Sequence, residues 1–126
     1  MTRSSGSTTD APTPIAPYSQ SVRIANIVAA SGQAGVDPAT GSFASVDVAG
    51  QTVQTFKNIA AVLAASGASL DDVIRVDVYL SDMADFTAMN EEYRKIFAEP
   101  YPARTTVGVS LPAGMKVEIT ALAVTQ

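Results

Sequence analysis

The apolar residues of this chain change their period once, and the change decides what it can fold into. After Asp47, Val53, Phe56, Ile59, Ala60 and Leu63 recur every three or four positions, whereas from Val73 to Leu80 apolar and polar residues alternate. The first spacing paints a stripe along a helix and the second paints one face of a strand. A chain that carries both must pack a helix on a sheet. Asp47 is a suitable N-cap and Gly67 falls where a C-terminal cap belongs, so the spacing predicts a helix of about five turns.

The same reasoning extends along the chain. Ser21–Ile24 and Ile27–Ser31 read as two short strands around a turn at Ile24-Ala25-Asn26, and Asp37-Pro38-Ala39-Thr40-Gly41 has the chemistry of a further turn. In Val73–Leu80, strict alternation places Ile74, Val76, Val78 and Leu80 on one face and Val73, Arg75, Asp77 and Tyr79 on the other. Asp82 is placed to cap a second helix with the stripe Phe86, Met89, Tyr93 and Phe97, which Pro100 and Pro102 end. Arg104–Leu111 and Met115–Thr125 are strand-like and are joined by Leu111-Pro112-Ala113-Gly114. The order strand, strand, helix, strand, helix, strand, strand implies an α+β architecture with both helices on one face of the sheet. Val73, Tyr79, Leu122 and Val124 would make the other face too apolar to stay wet in a monomer, so self-association through it is expected.

Residues 1–13 are mostly Ser, Thr, Gly and Pro, with little to offset the entropy of ordering, and are expected to form a disordered tail. Residues 14–126 are expected to form a single domain.

Composition narrows the chemistry by subtraction. With no Cys and no His in 126 residues, there is no thiolate, imidazole base, disulfide or usual zinc ligand set, and no metal site is expected. A net charge of −4 argues against nucleic acid as a partner, because phosphate neutralisation needs clustered Lys and Arg. No apolar run approaches the roughly 20 residues that span a bilayer, so no membrane association and a cytoplasmic location are expected.

Several polar residues stand in segments whose neighbours read as core. Arg104 follows Tyr101-Pro102-Ala103 at the start of a strand; it is either a surface ion-pairing residue or a planar fork for a carboxylate. Glu118, between Val117 and Ile119, is either a solvated strand carboxylate or a group that holds and deprotonates a water. Tyr18 reads as packing with its hydroxyl at a rim, or as the border of a site. Ser31-Gly32-Gln33 ends a strand, where the glycine makes a turn or lets a ligand approach the backbone. Asn90 in the second helix either caps a loop or faces a site.

Taken in order, Pro17-Tyr18-Ser19-Gln20, Ser31-Gly32-Gln33, Leu80-Ser81-Asp82-Met83, Asn90, Tyr93, Phe97, Pro102-Ala103-Arg104, Leu111-Pro112 and Val117-Glu118-Ile119 resemble the Rid (YjgF) family of reactive-intermediate deaminases. The resemblance spans about Pro14 to Val124. It implies a chorismate-mutase-like fold assembled as a homotrimer with clefts between subunits. It also implies hydrolysis of 2-imino acids or their enamines, of the 2-aminoacrylate or 2-iminobutanoate type, to 2-oxo acids and ammonia, without a cofactor. In that family the positions of Arg104 and the Thr106 N–H bind the substrate carboxylate. The position of Glu118 places the attacking water and that of Tyr18 borders the cleft; Ser31, Gly32 and Asn90 are expected to line it.

The segment from Arg104 to Leu111-Pro112 is one residue shorter than in the archetypal subgroup, which implies a changed register or a lost bulge. Ala29, Ala16 and Thr106 also depart from the residues common there. Such departures suit a relative acting on another small carboxylated amine or carbamate, and a carboxylate-binding or chaperone-like trimer without turnover is a third reading.

Overall fold

A computed structural model of the chain describes residues 2–126. Six strands, β1 (Ser4–Gly6), β2 (Ser21–Ile24), β3 (Ile27–Ala34), β4 (Val73–Leu80), β5 (Ala103–Gly108) and β6 (Val117–Val124), make one mixed sheet in the order β1-β2-β3-β6-β4-β5. Two helices, α1 (Val48–Ala64) and α2 (Phe86–Ile96), follow β3 and β4 in the chain. The β4–β5 pair alone is parallel, because α2 lies in the connection between them; the other pairs are antiparallel. The expected α+β layer of two helices on one sheet is therefore the fold.

Asp47 caps α1 by accepting from the Gly50 N–H at 2.8 Å, and this bond, with one from Ser45, holds its carboxyl below the ordinary 3.8. Gly67 takes φ +80, the left-handed turn that ends the helical segment. The buried stripe is more polar than apolar spacing predicts. It comprises Phe56, Ile59, Val62 and Leu63 together with Gln51, Thr52, Thr55 and Asn58, while Val53 and Ala60 are only partly covered.

These buried polar groups are satisfied. Gln51, 0% exposed, donates to the carbonyls of Ser45 (3.0 Å) and Gly114 (2.8 Å) and accepts from the Lys116 N–H (2.8 Å). Asn58 donates to the carbonyls of Ala34 (3.0 Å) and Val36 (2.8 Å). One helix thus pins the end of β3 and the loop that leads into β6.

Two expectations need correction. Thr2–Thr13 is not a free tail: Ser4–Gly6 pairs antiparallel with Ser21–Arg23, and Ala11 is buried. Main-chain pairing requires no large side chains, and the Gln20 amide supplies the rest, donating to the Thr8 and Pro12 carbonyls and accepting from the Thr8 N–H. Met1 lies outside the described residues. The second correction concerns β4, whose pairing with β6 shifts between Val73 and Arg75. The extra residue reverses the alternation, so Val73 is buried and Ile74 is 52% exposed.

The shorter segment after Arg104 does not disturb the strand it begins, since β4 and β5 pair without a shift from Ala103 through Gly108. Beyond Gly108 the strand ends, short of the expected Leu111.

Replacing Gln51 with Met keeps its volume and removes three buried hydrogen bonds, leaving two carbonyls and one N–H unpaired. Urea denaturation of Gln51→Met should show a loss of about 3 kcal/mol; a change under 1 kcal/mol would mean that water replaces the amide.

Candidate functional site

Strand parity distributes the polar residues. Arg104 pairs with Val76 and Thr106 with Val78, and both valines face the helices with no exposure, so Arg104 and Thr106 point to the helix side. Glu118 pairs with Tyr79 and Thr120 with Asp77, on the opposite, uncovered side. Arg104 and Glu118 consequently point to opposite faces of the sheet within one chain.

On the helix side, Asn90, Tyr93, Arg94, Tyr101, Pro102 and Arg104 line a hollow of about 270 Å³ at the β5 edge. Three buried polar atoms in this part of the molecule have no hydrogen-bond partner: Asn90 Oδ1, the Tyr93 hydroxyl and Thr106 Oγ1. Buried polar groups are otherwise almost always paired, so this concentration beside a half-buried arginine marks a place suited to a polar ligand. Tyr93 packs against Phe56 and Phe97, and its ring centroid lies 4.7 Å from the Arg104 guanidinium carbon. Burial raises its phenol above the ordinary 10.0; the Arg104 charge opposes that rise and Tyr101 adds to it.

On the uncovered side, Tyr18, Ser31, Gly32, Tyr79, Glu118 and Thr120 line a second hollow of about 410 Å³. It is built by a bulge. Ala30 pairs with Ala121 but Gln33 with Ile119, so β3 has one residue more than β6, at Ser31-Gly32. A Cβ at Gly32 would lie 3.1 Å from Glu118 Cδ, which is why glycine suits the bulge. Ser31 ties down the loop bearing Tyr18: its N–H donates to the Gln20 carbonyl and its hydroxyl to that of Ser19. Tyr18 is 45% exposed, at the rim. A larger, more apolar groove of about 710 Å³, lined in part by Ile15, Val36, Pro112 and Met115, shares Tyr18, Gly32 and Glu118 with this hollow.

Among the described residues, neither Arg104 nor Glu118 is in an ion pair, and no set of His, Cys, Asp or Glu stands ready for a metal. The structure thus gathers Tyr18, Ser31, Gly32 and Glu118 into one hollow and Asn90 and Arg104 into another, with Thr106 two residues along β5 on the face of Arg104. It does not bring the two sets together in one chain. Sequence reasoning treated Tyr93 as core alone. The signal available was the spacing Phe86, Asn90, Tyr93, which sets an asparagine between two rings on one helix face.

The family model described as Endoribonuclease L-PSP, the Rid or YjgF family, matches residues 8–125. The chain belongs to this family. A RutC family protein of Pyrococcus horikoshii is 49% identical over 92% of this chain and 93% of its own. The 2-iminobutanoate/2-iminopropanoate deaminase of Dermatophagoides farinae is 41% identical over 94% and 93%. The crystal structure of RidA from an Antarctic Psychrobacter superposes with a TM-score of 0.92 at 40% identity, covering 97% of this chain and 99% of that one. The family fold, a six-stranded mixed sheet with two helices, is the one described above.

The raised phenol has a measurable consequence. A neutral form favoured by the fold contributes stability that is complete below the unfolded value, near 10.0, and is lost as pH rises through the folded value. In an alkaline absorbance titration, Tyr93→Phe should remove a phenolate step that lies above the ordinary 10.0. Loss of an earlier step instead would show that the ring is open to water.

Proposed function

We propose that this chain is a deaminase of small 2-imino acids and their enamine tautomers, acting as a homotrimer whose hollows are completed between copies. The observation that carries the reading is the division of polar groups between the two faces of the sheet. In a 2-imino acid the carboxylate is bonded directly to the C=N carbon. A clamp at Arg104 and a water held by Glu118 therefore cannot reach it from one chain with the sheet between them. A neighbouring copy docked on the uncovered face would bring its own helix-side hollow against Glu118. Cyclic closure covers that face without leaving a sticky surface.

The chemistry asks little of the protein. Arg104 binds the carboxylate by two parallel hydrogen bonds, with Asn90 and the Thr106 N–H beside it; β5 is a sheet edge, where alternate N–H groups face outward. Glu118 takes a proton from water as its oxygen attacks the C=N carbon. Glu118 returns that proton to the nitrogen, and the carbinolamine collapses to the 2-oxo acid and ammonia as its hydroxyl proton passes to the departing nitrogen. An enamine first accepts a proton at its β-carbon and loses one from its nitrogen, which makes it the imine. Tyr18, Ser31 and Gly32 shape the side on which the water sits. Since imines already hydrolyse in water, orientation and charge placement suffice, and no cofactor is required.

The deaminase named above supports this reading, while the RutC-family name leaves the substrate open. A ribonuclease activity, which the name of the family model would suggest, has less support from a chain with net charge −4 and no His.

Light scattering should return about three times 13.0 kDa, and a stable monomer would remove the shared site. A coupled assay, in which an amino-acid oxidase generates imines while 2-oxo acid release is followed, tests the chemistry. Arg104→Lys keeps the charge and loses the fork, and should lower turnover and 2-oxo acid affinity roughly ten- to a hundredfold. Glu118→Gln should bind 2-oxo acid as before and lose turnover. Full turnover in Glu118→Gln would mean that the water is activated elsewhere, and absence of imine hydrolysis in wild type would leave a carboxylate-binding protein in place of the deaminase.

A further inference from the structure

Arg104 is held without an anion. Its guanidinium carbon stands 4.7 Å from the Tyr93 ring centroid and 5.7 Å from that of Phe86. Both rings come from α2, seven residues and about two turns apart, and so share one face of the helix. No carboxylate among the described residues lies within ion-pair distance of Arg104.

An aromatic ring attracts a cation through its quadrupole, more strongly as water is excluded, and Tyr93 is only 5% exposed. A ring engages the face of a guanidinium, whereas a carboxylate engages its edge and consumes N–H donors. Holding the arginine by rings leaves its five donors free in a fixed plane. An internal Asp or Glu would hold it equally still and block it.

We propose that Phe86 and Tyr93 are positioning residues that fix the Arg104 guanidinium plane, and thereby the orientation in which the helix-side hollow receives a planar carboxylate. This rests on the clamp role given to Arg104 above, and it is tested without turnover.

Two readouts suffice: the affinity for 2-oxobutanoate by titration calorimetry, and the Arg104 Nε–H signal in proton–nitrogen NMR, assigned by its loss in Arg104→Lys. Phe86, 38% exposed, can be replaced by Leu without opening the core. Phe86→Leu should weaken 2-oxobutanoate binding roughly three- to tenfold and move the Nε–H signal toward that of a solvent-exposed arginine. Tyr93→Leu should do the same more strongly, and Tyr93→Phe, which keeps the ring, should leave the Nε–H signal at its wild-type position even where loss of the hydroxyl lowers affinity. In the Phe86→Leu background, Arg104→Lys should cost less affinity than in wild type, because part of the orientation is already lost.

An unmoved Nε–H signal together with additive losses overturns the proposal, and Phe86→Leu alone decides if Tyr93→Leu does not fold. If wild type binds 2-oxobutanoate but hydrolyses no imine, the deaminase reading falls and the clamp stands. Imine hydrolysis in wild type with clamp variants indistinguishable from it has the opposite result.

Discussion

Alternation along β4, β5 and β6 assigns each side chain of the sheet either to a face roofed by helices or to one left bare, and the site inherits that division. Val76, Val78 and Leu80 have no exposure on the roofed face, so the sheet cannot slip by one residue without bringing its apolar set into water. Arg104, paired with Val76, is committed to the helices by the same register that commits Glu118, paired with Tyr79, to the other side. The separation of the two charges is therefore a property of the hydrophobic core. Neither can change faces without a one-residue slip that would expose Val76, Val78 and Leu80.

Around this frame, polar contacts do what apolar packing alone cannot. Packing by Val, Ile and Leu is tolerant of small shifts, whereas hydrogen bonds of 2.8–3.0 Å from Gln51 and Asn58 fix the Gly114–Lys116 loop and the Ala34–Val36 strand end in register with α1. Those two segments contribute Ala34, Val36 and Met115 to the larger groove that shares Glu118 with the second hollow. The aromatic group of α2 performs the corresponding service for Arg104, with Phe97 and Phe56 backing the Tyr93 ring.

Much of this was legible in the sequence. The two periods placed α1, β4 and α2, because a face buried against a core leaves a regular trace, and the bounds of β4 were those observed. What was missed left no such trace. β1 is held by main-chain bonds that Ser4-Ser5-Gly6 do not advertise, and the Gln51 and Asn58 network reads in sequence as exposed polarity. The bulges in β3 and β4 add a residue without altering composition, so Ile74 was assigned to the face that Val73 takes. For the candidate site, Arg104, Glu118, Tyr18, Ser31, Gly32 and Asn90 were selected by residue chemistry and by resemblance. Their division into two hollows needed the strand pairing, and Tyr93 was hidden in an apolar stripe.

The Ser31-Gly32 bulge works as a phase shift. On its N-terminal side the even-numbered Val28 and Ala30 are buried; beyond it burial passes to odd-numbered Gln33 and Gly35. One strand thus serves two frames, the first paired with both β2 and β6 and the second paired with β6 alone and tied to the Asn58 carboxamide. Only the exposed turn between Asp37 and Ser42 lies outside these ties, because Val36 and Ser45 are themselves bonded to α1 and Val36 is bridged to Phe43. The hollow beside Glu118 thus sits where one strand passes from sheet pairing to anchorage on a helix, and its shape depends on both.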